Sequence, residues 1–206
     1  MNSNANNEKD GALMMGYVQV YTGNGKGKTT AAVGLTLRAL GAGKKVLFLQ
    51  FMKDLAYSEQ KMLLTLSPDL TLETIGKPFF VIMEGALPEE QMAEWRDKAV
   101  IFAPGNPPKD YIDLIAKGLN RAKEAASSGE FDLVVLDELA VAMYFELVTW
   151  DQISEIIDTK LDKVELVFTG RGAPAELIER ADLVTEMKEV KHYYEKGVPA
   201  RKGIEN

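Results

Sequence analysis

Chemistry first enters the chain at Thr22-Gly23-Asn24-Gly25-Lys26-Gly27-Lys28-Thr29-Thr30, where alternating glycines run directly into a lysine and two threonines. Glycine allows positive φ, so successive backbone N–H groups can close around an anion. A helix opening directly after such a loop adds unsatisfied donors and a partial positive charge. In that setting Lys28 is a point charge for phosphates, and the Thr29 hydroxyl is a ligand for a magnesium ion. The usual G-x-x-x-x-G-K-[ST] spacing asks for glycine at position 22, where this chain has Thr22. What stands is Gly23-x-x-x-Gly27-Lys28-Thr29, with an extra lysine, Lys26, inside the loop.

A second cluster is Asp137-Glu138, paired carboxylates that end the apolar run Leu133-Val134-Val135-Leu136. A hard cation takes carboxylate, hydroxyl and phosphate oxygens, so the pair completes a magnesium shell with Thr29. The spacing does not separate a metal-binding Glu138 from one that orients a water, nor either from an acidic pair that only caps a helix. Arg171, in Thr169-Gly170-Arg171-Gly172, is either a clamp on phosphate or ribose or a solvated loop residue. The single histidine, His192, reads as structural or solvated rather than catalytic. The chain offers no Ser-His-Asp set, no His/Cys metal cluster and no aromatic-basic stripe for single-stranded nucleic acid.

The elements that must position these clusters follow from hydrophobic periodicity. Tyr17 to Thr22 reads as a strand and Thr29 to Leu40 as a helix, with Ala31, Ala32, Leu35, Ala39 and Leu40 turned to a sheet. Val46 to Phe51 is almost continuously apolar, as in a strand covered on both faces. A helix from about Glu59 to Leu66 and a strand from Leu70 to Ile75 follow. Gly76 to Gly85 is apolar but broken by Pro78; Glu89 to Phe102 reads as helix, and Tyr111 to Ser127 as a strongly amphipathic one. Strands are expected at Phe131 to Asp137, from Val164, and at Leu183 to Met187, with a short helix from Pro174 to Arg180. Such alternation calls for an α/β fold with a mostly parallel sheet, right-handed crossovers and helices on both faces. Ligands of such sheets sit at the carboxyl ends of the strands. The loop at 22–30, the segment after Phe51, Asp137-Glu138 and 169–172 should therefore share one cleft.

Size and composition bound the rest. The chain has 206 residues, 46% of them hydrophobic, enough for one α/β domain over 16–206 and too few for two full ones. Residues 1–15, polar and Asn-rich at their start, are expected to be a flexible segment. A net charge of −7 argues against a nucleic-acid partner. No apolar run reaches membrane-spanning length, no signal peptide is visible and there is no cysteine, so the expected location is the cytoplasm, away from membranes.

Several of these stretches together resemble one family, the P-loop ATP:corrinoid adenosyltransferases that act on cob(I)alamin or cob(I)yrinic acid a,c-diamide. The resemblance is carried by Thr22 to Ala32, whose shortened glycine spacing is the family's own form. It continues in Val46 to Lys53, Glu59, Leu133 to Leu139 and Thr169 to Gly172. It ends in Ala181 to Met187, Val190-Lys191-His192, Gly197-Val198 and Gly203-Ile204. It implies a RecA-like P-loop fold, a homodimer, and transfer of the 5′-deoxyadenosyl group of ATP to the Co(I) of a reduced corrinoid, with the whole triphosphate leaving. It also implies roles. Thr22 to Thr30 and Arg171 would bind ATP. Lys26, Lys28 and Arg171 would stabilise the departing triphosphate, and Thr29, Glu138 and Asp137 would hold Mg2+ or Mn2+. The nucleophile would be the substrate's own cobalt, and a reduced flavoprotein would suit as electron donor. Many members carry Gly-Phe-x-Trp after the third strand to pack on the corrin. Here Pro78-Phe79-Phe80-Val81-Ile82-Met83 stands there, and Phe79 or Phe80 either takes that role or packs in the core. The alternative from a different class of chemistry is a RecA-like ATPase or a nucleotide-dependent kinase.

Overall fold

A computed structural model describes residues 15–87, 89–97 and 99–205. The segment expected to be flexible lies outside these residues, apart from the exposed Met15. In chain order the elements begin β1 (Val18–Thr22), α1 (Lys28–Gly41), β2 (Val46–Phe51), α2 (Ser58–Leu66) and β3 (Leu70–Ile75). There follow β4 (Phe80–Met83), α3 (Glu89–Trp95), β5 (Ala99–Phe102), α4 (Lys109–Ser128) and β6 (Leu133–Asp137). The rest is α5 (Leu139–Tyr144), α6 (Trp150–Thr159), β7 (Glu165–Thr169), α7 (Ala175–Arg180), β8 (Leu183–Glu186) and a 3-10 turn at Tyr193–Lys196.

Six strands form one sheet in the order β3-β2-β6-β7-β1-β8, and every pairing is parallel. Its apolar runs are explained by cover on both sides. Leu47, Leu49 and Phe51 of β2 face a large core with Tyr111, Ile115 and Leu119 of α4 and Ile153 and Ile156 of α6. Val46 and Phe48 face the other way, against Ala32 and Ala39 of α1. This period-two division across one strand is what parallel sheets require when helices lie on both faces. In α1 the buried residues include Thr36, while Ala31, Leu35 and Leu40 are only half-buried.

Two stretches depart from the sequence reading. The helix expected over Glu89 to Phe102 ends at Trp95, and Ala99–Phe102 is a strand instead. Its partner is Phe80–Met83, in parallel register from Phe80 opposite Ala99 to Met83 opposite Phe102. Val100 and Ile101 are β-branched, and the partner strand gives them a ladder that local periodicity cannot foresee. This two-stranded sheet sits apart from the main one and carries Phe79 and Phe80 at its leading end.

Candidate active site

The glycine loop joins β1 to α1 as its spacing requires. Gly27 immediately precedes α1 with φ 121°, a conformation that side chains resist, and it leaves the helix without a capping side chain. No acidic residue stands in the first turn. The uncapped N-terminus thus keeps its donors for an anion, unlike α6, where Thr149 accepts from the Gln152 amide in a capping box. Gly23, at φ 95°, lies so close to Met187 that a Cβ there would stand 2.5 Å from its carbonyl oxygen. The Gly25 amide donates to that oxygen at 2.7 Å, so the segment after β8 backs the loop. Asn24 and Thr30 are exposed on the loop and the first turn. Thr22 is buried, and its hydroxyl accepts from the Ala173 amide at 3.3 Å. The threonine in the usual glycine place thus ties the phosphate loop to the turn after β7.

Lys28 is buried and donates to the carbonyls of Gly23 (2.7 Å) and Gly25 (2.8 Å). Burial, and then the nearby Arg171 guanidinium, pull its pKa below the ordinary lysine value. A cation held this way gains by meeting an anion. Arg171 is exposed in the 169–172 turn, near enough for its charge to bear on both Lys28 and Glu138. Lys26 points elsewhere. Its ammonium donates to Glu205 at 2.9 Å and to the Tyr193 hydroxyl at 3.2 Å, in a surface cluster with Arg201.

The centre of the site is Asp137, fully buried at the end of β6. Its Oδ1 accepts from Thr29 at 2.9 Å and from Thr169 at 2.6 Å, and its Oδ2 from Gln50 at 3.0 Å and Lys53 at 2.9 Å. Burial opposes its charge, but Lys53 and these hydrogen bonds prevail, and the pKa falls below the usual carboxylate value. The ends of β2, β6 and β7 and the first turn of α1 therefore meet on one carboxylate, as the shared-cleft expectation requires. Lys53, also 3.3 Å from the Thr29 hydroxyl, has its pKa raised because Asp137 and Glu138 outweigh its burial.

Glu138 takes the left-handed conformation at φ 60°, uncommon for any residue with a side chain. Its amide donates to the Thr169 hydroxyl at 3.0 Å, and its carboxylate makes no hydrogen bond or ion pair with the described residues. Burial and then neighbouring Asp137 raise its pKa. No group of three His, Cys, Asp or Glu is placed to hold a metal among the described residues. The donors instead suit a hard cation that brings phosphate oxygens with it: the Thr29 hydroxyl and the free Glu138 carboxylate. Asp137, already accepting four hydrogen bonds, is better placed to hold Thr29 than to meet the ion directly.

Past Lys53 the site opens into a cleft of about 500 Å³ that includes Tyr57 of the loop before α2 and Phe79 and Phe80 before and in β4. Phe80 stacks edge-on against Trp95, with centroids 4.9 Å apart. Trp95, on α3, is half-buried against the main core. A buried relay backs the cleft: the Gln60 amide donates to Gln50 and to the Asp54 carbonyl, both at 2.7 Å, and its carbonyl accepts from the Tyr57 amide. Gln50 and Gln60 were silent in local chemistry; a glutamine inside an apolar strand, buried among Leu49 and Phe51, was the available signal. His192 accepts from the Tyr194 amide at 3.1 Å and lies against the Tyr193 ring, with centroids 4.7 Å apart.

Loop, uncapped helix and acidic strand end, with β7 inserted between β6 and β1, define a RecA-like P-loop nucleotide-binding protein. Residues 14–206 match the family described as ATP:corrinoid adenosyltransferase BtuR/CobO/CobP. The corrinoid adenosyltransferase of Escherichia coli (strain K12) is 32% identical over 190 residues, covering 92% of this chain and 85% of that protein. The Pseudomonas aeruginosa corrinoid adenosyltransferase is 35% identical over 193 residues, covering 92% and 83%. Among solved structures, flagellar accessory protein FlaH from Methanocaldococcus jannaschii aligns over 84% of this chain and 71% of its own, with TM-score 0.46 and 13% identity. The chain belongs to the ATP:corrinoid adenosyltransferase family and is a transferase that adenosylates corrinoids with ATP.

Proposed function

We propose that the chain transfers the 5′-deoxyadenosyl group of ATP to the Co(I) centre of a corrinoid and releases the triphosphate in one piece. In this reading the corrinoid's cobalt attacks C5′ and the C5′–O bond breaks, so the negative charge that develops stays on the phosphate chain. The observation that carries it is the continuity of the Asp137 centre with the cleft at Phe79 and Phe80, through Lys53.

Each residue then has a task. Backbone amides of the 23–30 loop other than that of Gly25, which the Met187 carbonyl holds, and the ammonium of Lys28 hold the phosphates, which replace the loop carbonyls as partners of Lys28. Preorganised positive charge at the departing group lowers the barrier without reorganisation at the moment of reaction. Arg171 adds charge from the turn after β7, and Lys26 exchanges Glu205 for phosphate. Thr29 and Glu138 would hold magnesium or manganese, whose chemistry there is to neutralise phosphate charge; Asp137 fixes Thr29 and Lys53. Phe79 and Phe80, the latter braced by Trp95, pack on the corrin. No side-chain nucleophile is needed. A homodimer, a reduced-flavoprotein electron donor and a cytoplasmic location complete the proposal; no helix among the described residues is long and apolar enough to cross a membrane.

The test is the visible spectrum of chemically reduced corrinoid incubated with the protein and ATP. A light-sensitive cobalt–carbon product that forms only with ATP is expected. An unchanged spectrum, with ADP released at the same rate with or without corrinoid, would favour an ATPase.

A further inference from the structure

The cleft beyond Lys53 has a charge of its own. Its walls carry four lysines, Lys53, Lys61, Lys77 and Lys202, against one acidic residue, Asp54. In a chain of net charge −7 this is a local reversal of sign. Two of the four are matched within the protein: Lys53 by Asp137 at 2.9 Å, and Lys77 by Asp110. Lys61, on α2, and Lys202, in the C-terminal turn, are exposed and make no hydrogen bond or ion pair through their side chains with the described residues. Two elements far apart in sequence thus bring unmatched ammonium groups to one cleft that also presents Pro78, Phe79 and Phe80. Its volume, about 500 Å³, is that of a small-molecule site.

We infer that this cleft selects corrinoids that keep free carboxylates on their ring side chains, and that Lys61 and Lys202 bind those carboxylates. The inference rests on the adenosyltransferase reading of the site. Aromatic surface suits the apolar face of a macrocycle, and a lysine is a compact point charge on a long stem, able to follow a carboxylate on the macrocycle's rim. A fully amidated macrocycle offers these two ammonium groups no counter-charge. Complementary charge of this kind acts on partner choice and on encounter more than on protein stability.

Anionic groups on a corrinoid have two sources, side-chain carboxylates or the phosphate of a nucleotide tail, and three probes separate them. Cobyrinic acid has carboxylates and no phosphate, cobinamide has neither, and cobalamin has a phosphate and amidated side chains. Binding is read by fluorescence titration, and turnover by adenosylation of each reduced corrinoid. Cobyrinic acid is expected to bind about tenfold more tightly than cobinamide at low salt, an advantage that shrinks as salt screens the exposed charges. The double variant Lys61→Ala/Lys202→Ala should lose that advantage, with KM for ATP and affinity for cobinamide unchanged within about twofold. Lys61→Arg/Lys202→Arg should keep it. Equal wild-type affinity for all three probes, or equal weakening of all three in the alanine variant, overturns the inference. So does a preference for cobalamin with cobyrinic acid no better than cobinamide, which assigns the lysines to the phosphate. If cobyrinic acid binds best but no corrinoid is adenosylated, selection by the cleft stands and the enzymatic reading fails.

Discussion

Two regions meet at Lys53 and are built on opposite terms. On the nucleotide side, the Asp137 carboxylate is fully buried and receives hydrogen bonds from Thr29, Thr169, Gln50 and Lys53. On the cleft side, Phe79 and Phe80 are 36% and 41% exposed, and Lys61 and Lys202 have no ion-pair partner among the described residues. The first region is organised before any ligand arrives. The second leaves its aromatic rings and two of its lysines facing solvent. A leaving group whose charge builds at a fixed place favours the first design, since electrostatic stabilisation depends on donors already in position. A bulky substrate that must enter and leave favours the second.

Substitutions can break this contrast, and the largest effect is expected at its hub. Asp137→Ala should abolish turnover and cost about 3–5 kcal/mol of stability, because it leaves Lys53 charged and buried without its partner. Urea titration measures this. A variant as stable as the parent would mean that the carboxylate is not the organising group. Lys28→Ala should lower kcat by about 10²–10³-fold while the fold persists, since only phosphate contacts and two hydrogen bonds to loop carbonyls are lost. Full activity would remove the loop from the mechanism.

On the cleft side effects should be smaller and confined to the corrinoid. Phe80→Ala removes the edge-on contact with Trp95 and exposes little else. KM for corrinoid should rise roughly fivefold, about 1 kcal/mol, with KM for ATP unchanged. A rise in both would assign Phe80 to packing. Lys26→Ala sharpens the boundary between the regions. Its surface partners predict no change in melting temperature, and its exchange of Glu205 for phosphate predicts a KM for ATP raised about two- to threefold. An unchanged KM would leave Lys26 as a surface residue of the C-terminal cluster.

What the sequence disclosed, and what it hid, follows the same division. Strand, loop and helix around Lys28 were legible because glycine spacing, Lys-Thr and apolar periodicity all lie within one short stretch. Asp137 was legible because an apolar run ends on it. The pairing of Phe80–Met83 with Ala99–Phe102 was not, and a helix was expected where β5 forms, because a strand's partner lies outside any local window. The Phe80–Trp95 contact was hidden for the same reason. In the stretch holding α5 and α6 the legible signal is the capping box of Thr149 and Gln152, which opens α6. Lys26 shows the converse limit. The resemblance implies a phosphate contact for Lys26, while nothing near it in sequence announces that the C-terminal segment folds back and brings Glu205 to its ammonium.

The proposed chemistry is tested most directly by its phosphorus products. Wild-type protein, ATP and a reduced corrinoid should give inorganic triphosphate in amounts equal to the adenosylated corrinoid, with neither formed when the corrinoid is left out. Pyrophosphate or ADP in place of triphosphate, or triphosphate released without corrinoid, would contradict a phosphate chain that departs whole under attack from cobalt.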